Sequence, residues 1–434
     1  MLPQKLPTFP HSCHSETSKQ VFMAEKSPLL PKKRDEEHAT DGFNGASFTG
    51  AVFNLSTTII GAGIMALPAA MKVLGLGLGI AIVIFVAVLT ENSIEMLLRF
   101  SRAGKSVSYG GVMGDAFGSV GKVVLQICVL VNIVGVLIVY MIIIGDVLSG
   151  TYSNGLHHSG VLEGWFGEHW WCGRTFVLLV TTLAVFAPLA CFKRIDSLRF
   201  TSASAVALAV VFVFITAGIV VVKLVDGSVT MPRLLPDVTD ITSVWKLFTV
   251  VPVLVTAYVC HFNVHTIVNE LADSSLIQPV VRTSLVLCSG RLHNDKLFWA
   301  PPICYALHLM LVFPIIFYPL RLNLDGLLFP SARPLVSDNR RFTLISIGLI
   351  SLVFLGANFI PSIWAAFQFT GATATVCLGF IFPAAIALRD PHGIATKKDK
   401  ILSIFMIGLA VFSNSVAIYS DAYAIFKMNV FPRA

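Results

Sequence analysis

Charge is what this chain has least of. Lysine, arginine, aspartate and glutamate make up 13% of its 434 residues, against about 25% in an ordinary soluble domain. Hydrophobic residues make up 55%, and the mean hydropathy is +0.79. A water-soluble fold of this size cannot hide that much apolar side chain, so lipid must be the solvent for most of it. No Cys-x-x-Cys pair occurs among Cys13, Cys128, Cys172, Cys191, Cys260, Cys288, Cys304 and Cys377. Zinc and thiol-redox motifs are therefore not indicated, and no metal site is expected. Most of these cysteines lie in apolar runs, and only Cys172 falls in a clear polar loop. No nucleophile–base–acid set and no cofactor loop stands out, so neither an enzyme nor a cofactor is expected. The net charge of +7 and pI of about 9.0 come without a basic stripe interleaved with aromatics, which argues against nucleic acid. No cleavable leader is visible either.

What is present is a series of apolar runs. A helix crosses a bilayer with about 20 residues, and ten clear runs qualify: 48–72, 75–98, 120–148, 174–192, 200–222, 244–268, 303–320, 342–364, 366–388 and 401–424. The fold class expected is all-α and polytopic. Residues 1–46 read as a disordered cytosolic tail, 47–425 as the transmembrane domain and 426–434 as a short C-terminal tail.

Orientation follows from lysine and arginine. The N-terminal tail and the loops Arg99–Lys105, Lys193–Arg199, Arg321–Arg341 and Arg389–Lys400 are basic, which places them in the cytosol. Loops 149–173 and 224–243 are poor in basic residues and face the other side. The runs 244–268 and 303–320 must then both end in the cytosol, so the chain between them has to cross once. It offers only a weak run that starts at Arg282 and fails near Gly290, followed by Arg291, His293, Asn294, Asp295 and Lys296. Each central charge costs about 2.5–3.5 kcal/mol on insertion scales. A seventh span is therefore truncated or missing, as in a splice variant or a misjoined gene. The alternative is a re-entrant crossing buried by its neighbours.

Two stretches carry chemistry. In Phe53-Asn-Leu-Ser-Thr57-Thr58-Ile-Ile-Gly61-Ala62-Gly63-Ile-Met-Ala-Leu-Pro68, a glycine pair and a proline interrupt the first span. Such a break frees backbone groups near the bilayer midplane, and the second half-helix points a positive dipole end at them, which suits a carboxylate. Close helix packing on small residues is the plainer reading. In Tyr258-Val-Cys-His261-Phe-Asn263-Val-His265, two histidines at i and i+4 share a helix face of the sixth span. Polar groups in a span line a path or pair with one another, and histidine titrates in the range a proton-coupled carrier uses. A structural histidine pair is the competing reading. Candidate substrate contacts are Thr57, Thr58, Gly61, Ala62, Gly63, Tyr258, His261 and Asn263; candidate proton carriers are Glu91, Glu95, His261 and His265. Glu91 and Glu95 also read as end-of-helix carboxylates that pair with a base such as Arg99. Asp146 is ambiguous in the same way, and His308 reads as structural. If spans one and six are both broken, five spans per repeat make two repeats inverted in the membrane.

In the tail, Glu25-Lys-Ser-Pro-Leu29-Leu30 fits an acidic dileucine sorting signal, read by adaptors that deliver proteins to endosomes, lysosomes or vacuoles.

The strings FNLSTTIIGAGIMALP (53–68), TENSIEMLLRFS (90–101), YVCHFNVHTIVNEL (258–271) and YALHLMLVFPIIFYPLRLNLDGLLF (305–329) together resemble the amino acid/auxin permease superfamily. They are most similar to its plant vacuolar amino acid transporter branch, related to sodium-coupled neutral amino acid transporters. The resemblance covers about residues 45–425. It implies eleven helices, a LeuT-like fold with an inverted 5+5 repeat plus one helix, and secondary transport of amino acids. Sodium-coupled relatives typically carry a second asparagine where Thr57 stands, and a threonine where Val312 stands. Valine has no oxygen for sodium, so proton coupling or export down a gradient is expected. Relatives also continue past SLVLCS with a full helix, whereas this chain switches to GRLHNDKLFWAPPIC (290–304). The main expectation is a carrier of neutral or acidic amino acids in the vacuolar or another endomembrane. The alternatives are an amino acid sensor with the tail as its output, or an inactive isoform lacking helix seven.

Overall fold

In lipid a chain has to satisfy its own backbone, and apolar runs do so as helices. The computed structural model describes residues 48–153, 156–193, 199–227, 233–271, 273–289, 300–360 and 374–430. The chain begins with α1 (Phe48–Leu74), α2 (Leu76–Ala103) and α3 (Tyr109–Ser149), followed by strands β1 (Gly150–Ser153) and β2 (Leu156–Ser159) and the short α4 (Val161–Phe166). Next, α5 (Arg174–Thr181) runs through a π-turn at Thr182–Phe186 into α6 (Ala187–Ala190), and α7 spans Arg199–Val225. Then come α8 (Ile241–Tyr258), α9 (His261–Glu270), α10 (Ile277–Ser289), α11 (Ala300–Leu328) and α12 (Asn339–Phe359). A second π-turn at Cys377–Ile381 leads into α13 (Phe382–Arg389), and α14 spans Lys397–Val430.

Among the described residues, six stretches are long and apolar enough to cross a membrane: Leu76–Ala103, Tyr109–Ser149, Ser243–Asn269, Ile303–Leu328, Asn339–Phe359 and Lys397–Ser420. Shorter apolar pieces at Phe48–Gly61, Arg174–Ala190, Ala203–Phe212 and Cys377–Arg389 fall where further spans are expected. The chain is a multi-pass helical membrane protein.

Burial patterns show which helices are central. Every residue of α3 from Leu137 to Gly145 is buried, as befits a helix that is apolar all round. It packs against α11, α12 and α5. On α14, Ser403, Met406, Ala410, Ser413 and Ala417 form one buried face, while Ile401, Ile404, Val411 and Ile418 point outward. That outward face suits acyl chains.

Side-chain bonds gather the basic loops together. Arg99 forms a two-pronged pair with Asp399 at 2.8 and 3.2 Å. Lys193 reaches the Val336 carbonyl and the Asn339 side chain, and Asn269 reaches the Val107 carbonyl. We call this end of the bundle the basic face. At the opposite end, the Leu76 and Gly77 amides bond to the Arg233 and Leu234 carbonyls, and Arg174 pairs with Asp146 at 2.8 Å.

Three departures from the sequence reading have physical causes. The third span starts at Tyr109 rather than 120, because Ser108 caps the helix by accepting the Gly111 amide. Gly118, at φ 69°, bends this first piece away from the main helix, in a conformation that favours glycine. Loop 149–173, for which the sequence reading named no element, holds a β-hairpin paired Gly150↔Ser159 to Ser153↔Leu156. Finally, the weak run after Arg282 is the real helix α10, which starts earlier, at Ile277. Its 13 residues rise only about 20 Å, against a hydrocarbon core of about 30 Å. Residues 290–299, which follow it, lie outside the described residues. The run expected at 303–320 extends back to Ala300, and residues 361–373, the end of the run 342–364 and the start of 366–388, lie outside the described residues.

Candidate functional site

The site is built where two helices lose their regularity. Inside α1, Gly61 has φ −46° and ψ −105°, which is not helical. Between α8 and α9, Val259 and Cys260 leave the helix, at ψ 112° and ψ 5°. The sixth span is therefore broken just after Tyr258 and just before His261. Breaks of this kind free backbone carbonyls, and those buried in protein need partners. At Gly61 the partner is Tyr305 of α11, whose hydroxyl donates to the Gly61 carbonyl at 2.8 Å. Tyr140 of α3 closes the other side, and a methyl built on Gly61 would overlap its hydroxyl and lie 2.7 Å from ring carbon Cζ.

The two broken helices touch through the residues that the sequence singles out. Asn263 Nδ2 donates to Thr58 Oγ1 at 3.0 Å, and Thr58 gives its own proton to the Asn54 carbonyl. Thr57 is buried and bonds back to the Phe53 carbonyl at 2.8 Å. Tyr258, His261, Asn263 and His265 are all buried. Ala62 and Gly63 continue α1 beyond the break. Val312 is fully buried on α11 and offers no oxygen.

The carboxylates fall elsewhere. Glu91 is held by Arg282 of α10, with contacts of 2.6 and 2.7 Å. Its partner is thus not Arg99, which is committed to Asp399. Glu95 makes no hydrogen bond among the described residues, and its charge is felt at Arg99. Asp146 pairs with Arg174, and His308 donates through Nδ1 to the Ala205 carbonyl at 2.7 Å. Glu25, Leu29 and Leu30 lie outside the described residues. A groove of about 740 Å³ near Asp115, Phe117, Arg389 and Ile407 sits beside the Arg389–Lys400 loop, away from the breaks, and has no part in the site.

Glu91 and Arg282 tie α2 to α10. Because they act as a pair, Glu91→Gln and Arg282→Gln should lower transport equally, and the double variant should do no more harm than either one. A double-mutant cycle on flux checks this; a harmless Arg282→Gln beside a damaging Glu91→Gln would instead make Glu91 a proton carrier. Tyr305→Phe leaves the Gly61 carbonyl unpaired in an apolar interior, at a cost of about 1–3 kcal/mol. The expected result is a lower melting temperature for the detergent-purified protein, read by thermal unfolding.

Sequence reasoning missed Tyr305, Tyr140, Ser93 and Ser101. The first two lie in apolar runs, where a phenol reads as bulk. The signal available was simply that each is a polar group inside a span.

A family profile described as "Transmembrane amino acid transporter protein" matches residues 44–289. Among curated relatives from Arabidopsis thaliana, the chain is 64% identical to amino acid transporter AVT6A over 437 aligned positions, covering 93% of this chain and 94% of the relative. It is 60% identical to amino acid transporter AVT6B, covering 93% and 96%, and 41% identical to amino acid transporter AVT6D, covering 92% and 97%. A solved manganese transporter of Eremococcus coleocola aligns over 91% of this chain and 75% of its own, at 11% identity and a TM-score of 0.33, too low to bear on the fold. A profile match over more than half the chain, joined to relatives this similar along nearly all of it, means that the protein belongs to the transmembrane amino acid transporter family, whose members are carriers and not enzymes.

Proposed function

We propose that this chain is a secondary carrier of amino acids in an endomembrane, the vacuolar membrane first among them. It works by alternating access around the two broken helices, in a LeuT-like arrangement of inverted repeats. The observation that carries this is the pairing of breaks: Gly61 in α1, Val259–Cys260 between α8 and α9, and the Asn263–Thr58 bond that joins them. The amide groups at the start of α9 suit a substrate carboxylate. Thr57, Thr58, Tyr258, His261 and Asn263, with the small residues Gly61, Ala62 and Gly63, form the substrate path. Buried Val312 offers no sodium ligand, which favours protons as the coupling ion, with His261 and His265 as carriers. Glu25, Leu29 and Leu30 supply the sorting address, with the tail in the cytosol.

Exchange of a labelled amino acid across liposomes that contain the purified chain tests the reading. The wild type should exchange neutral or acidic amino acids, and Asn263→Leu should abolish exchange while the protein stays folded. A wild type that is inserted, folded and unable to exchange any amino acid would sink it.

A specific observation favours a second reading, an isoform without a working seventh helix. α10 has only 13 residues, and the profile match stops at Ser289. The alignment with AVT6A runs over 437 positions yet covers only 93% of this 434-residue chain. The relative therefore carries residues that this chain skips. If this reading holds, the same liposomes will show binding or nothing, and restoring the relatives' segment after Ser289 will restore exchange.

A further inference from the structure

The two histidines of α9 are held alike, by residues that the site above does not use. A serine hydroxyl has one proton to give. Ser93 on α2 gives its proton to the Gly379 carbonyl at 2.5 Å. At its 3.0 Å contact with His261 Nε2, Ser93 must therefore accept and the imidazole must donate. His261 Nδ1 is left as a bare lone pair, buried and with no hydrogen-bond partner among the described residues. One helical turn along α9 the pattern repeats. Ser101 gives its proton to the Ser106 carbonyl at 2.6 Å and accepts from His265 Nε2 at 3.1 Å. His265 Nδ1 is likewise buried and without a partner among the described residues.

The second π-turn makes the first of these chains possible. Gly379 lies within Cys377–Ile381, and a π-turn breaks the regular ladder so that carbonyls become available to side chains. Gly379 serves Ser93, and the adjacent Leu378 carbonyl accepts from the Tyr109 hydroxyl at 2.8 Å. The Tyr109 ring in turn stacks on His265, with centroids 6.2 Å apart and planes 15° apart. Gly379 also has little room for a side chain, because a Cβ there would lie 3.3 Å from Val255 and 3.8 Å from His261.

Few titratable groups surround the pair. α2 carries Glu95 between the two serines, and α3 presents Tyr109 to His265. The π-turn carries Cys377, and Cys260 precedes His261. α8 contributes Val255, the break after it contributes Val259, and α1 contributes Thr58 through Asn263. Among the described residues, no charged side chain hydrogen-bonds to either imidazole.

We propose that Ser93 and Ser101 are positioning residues: they hold both histidines as Nε2–H tautomers and so present His261 Nδ1 as the atom that takes the co-transported proton, with His265 Nδ1 as the next station. This rests on the proton-coupled reading above. The imidazolium keeps its bond to the serine and strengthens it, since a charged donor bonds about twice as strongly as a neutral one.

Two readouts test the assignment. Imidazole nitrogen shifts of the purified chain, labelled at histidine, should report Nε2–H for His261 and His265, identified by their loss in His261→Gln and His265→Gln. Ser93→Ala should turn the His261 signal into a mixture of tautomers, and Ser93→Thr should restore it. In vesicles, Ser93→Ala should move the pH of half-maximal flux about one unit toward acid, because the charge-assisted bond is lost. Ser93→Thr should bring it back. A wild-type His261 protonated on Nδ1 would overturn the proposal, as would a Ser93→Ala variant whose flux falls by the same factor at every pH. Wild-type flux that ignores a pH gradient overturns the proton-coupled reading itself, and the tautomer spectra separate that failure from a wrong tautomer assignment.

Discussion

Gly61→Ala should reduce amino acid flux by about tenfold to a hundredfold and destabilise the fold by about 1–3 kcal/mol, the usual cost of overpacking. The added methyl overlaps the Tyr140 hydroxyl and meets ring carbon Cζ at 2.7 Å. A phenol ring is rigid, and the α3 segment that carries it is buried on all sides, so it cannot recede. α1 must move instead, which breaks the bond from Tyr305 to the Gly61 carbonyl. Tyr140→Phe removes only the hydroxyl and should not rescue the variant. Tyr140→Leu removes the ring and should recover part of the stability. Flux and thermal unfolding, measured on the same preparations, separate the two effects. Wild-type behaviour of Gly61→Ala would mean that the close approach at the break has no role.

Arg321→Leu should be the most destabilising single change away from the site, at about 3–5 kcal/mol. Arg321 is one of the largest fully buried side chains, 2% exposed. Its guanidinium donates to the Ala190 carbonyl at 2.7 Å, to Ser346 Oγ at 3.2 Å and to the Phe192 carbonyl at 3.1 Å. It also lies 4.0 Å above the Phe342 ring. The Ala190 carbonyl ends the short α6 and the Phe192 carbonyl follows just past it, where a helix leaves acceptors without internal partners and favours positive charge. Leucine strands the buried Ala190 carbonyl in an apolar interior. Lysine keeps the charge but cannot reach both carbonyls and the serine with one ammonium, so Arg321→Lys should fall between leucine and wild type. The yield of folded protein and its melting temperature provide the check, and an Arg321→Leu protein as stable as wild type would contradict this account.

Much of the fold was legible because membrane helices announce themselves by length and hydropathy. The runs at 75–98, 342–364 and 401–424 reappear as α2, α12 and α14, with α12 starting earlier because Asp338 caps it through the Arg341 amide. The break in α1 was legible from Gly61, Gly63 and Pro68, although only Gly61 leaves the helical region. The break between α8 and α9 was harder to see, because Val259 and Cys260 look like ordinary helix residues. The sequence reading could only suppose it, as the counterpart of the break in α1. Charge parity pointed to a defect between the sixth and eighth spans, and the described part of that stretch is the 13-residue α10. What stayed hidden were contacts between residues far apart in the chain. Ser93 and Gly379 are 286 residues apart, and nothing local marks a π-turn or says which carbonyl it releases. The partner of Glu91 was hidden for the same reason: Arg282 lies on a helix whose existence was itself in doubt.

If this chain moves amino acids around its paired breaks with protons as the coupling ion, a pH gradient should drive them uphill. The most direct test is accumulation of a labelled amino acid in vesicles carrying the purified chain, with and without an imposed pH gradient and a protonophore. The account predicts accumulation above equilibrium with the gradient, collapse with the protonophore, and none of either in Asn263→Leu. Folded, inserted protein that equilibrates the label equally with and without the gradient would contradict it.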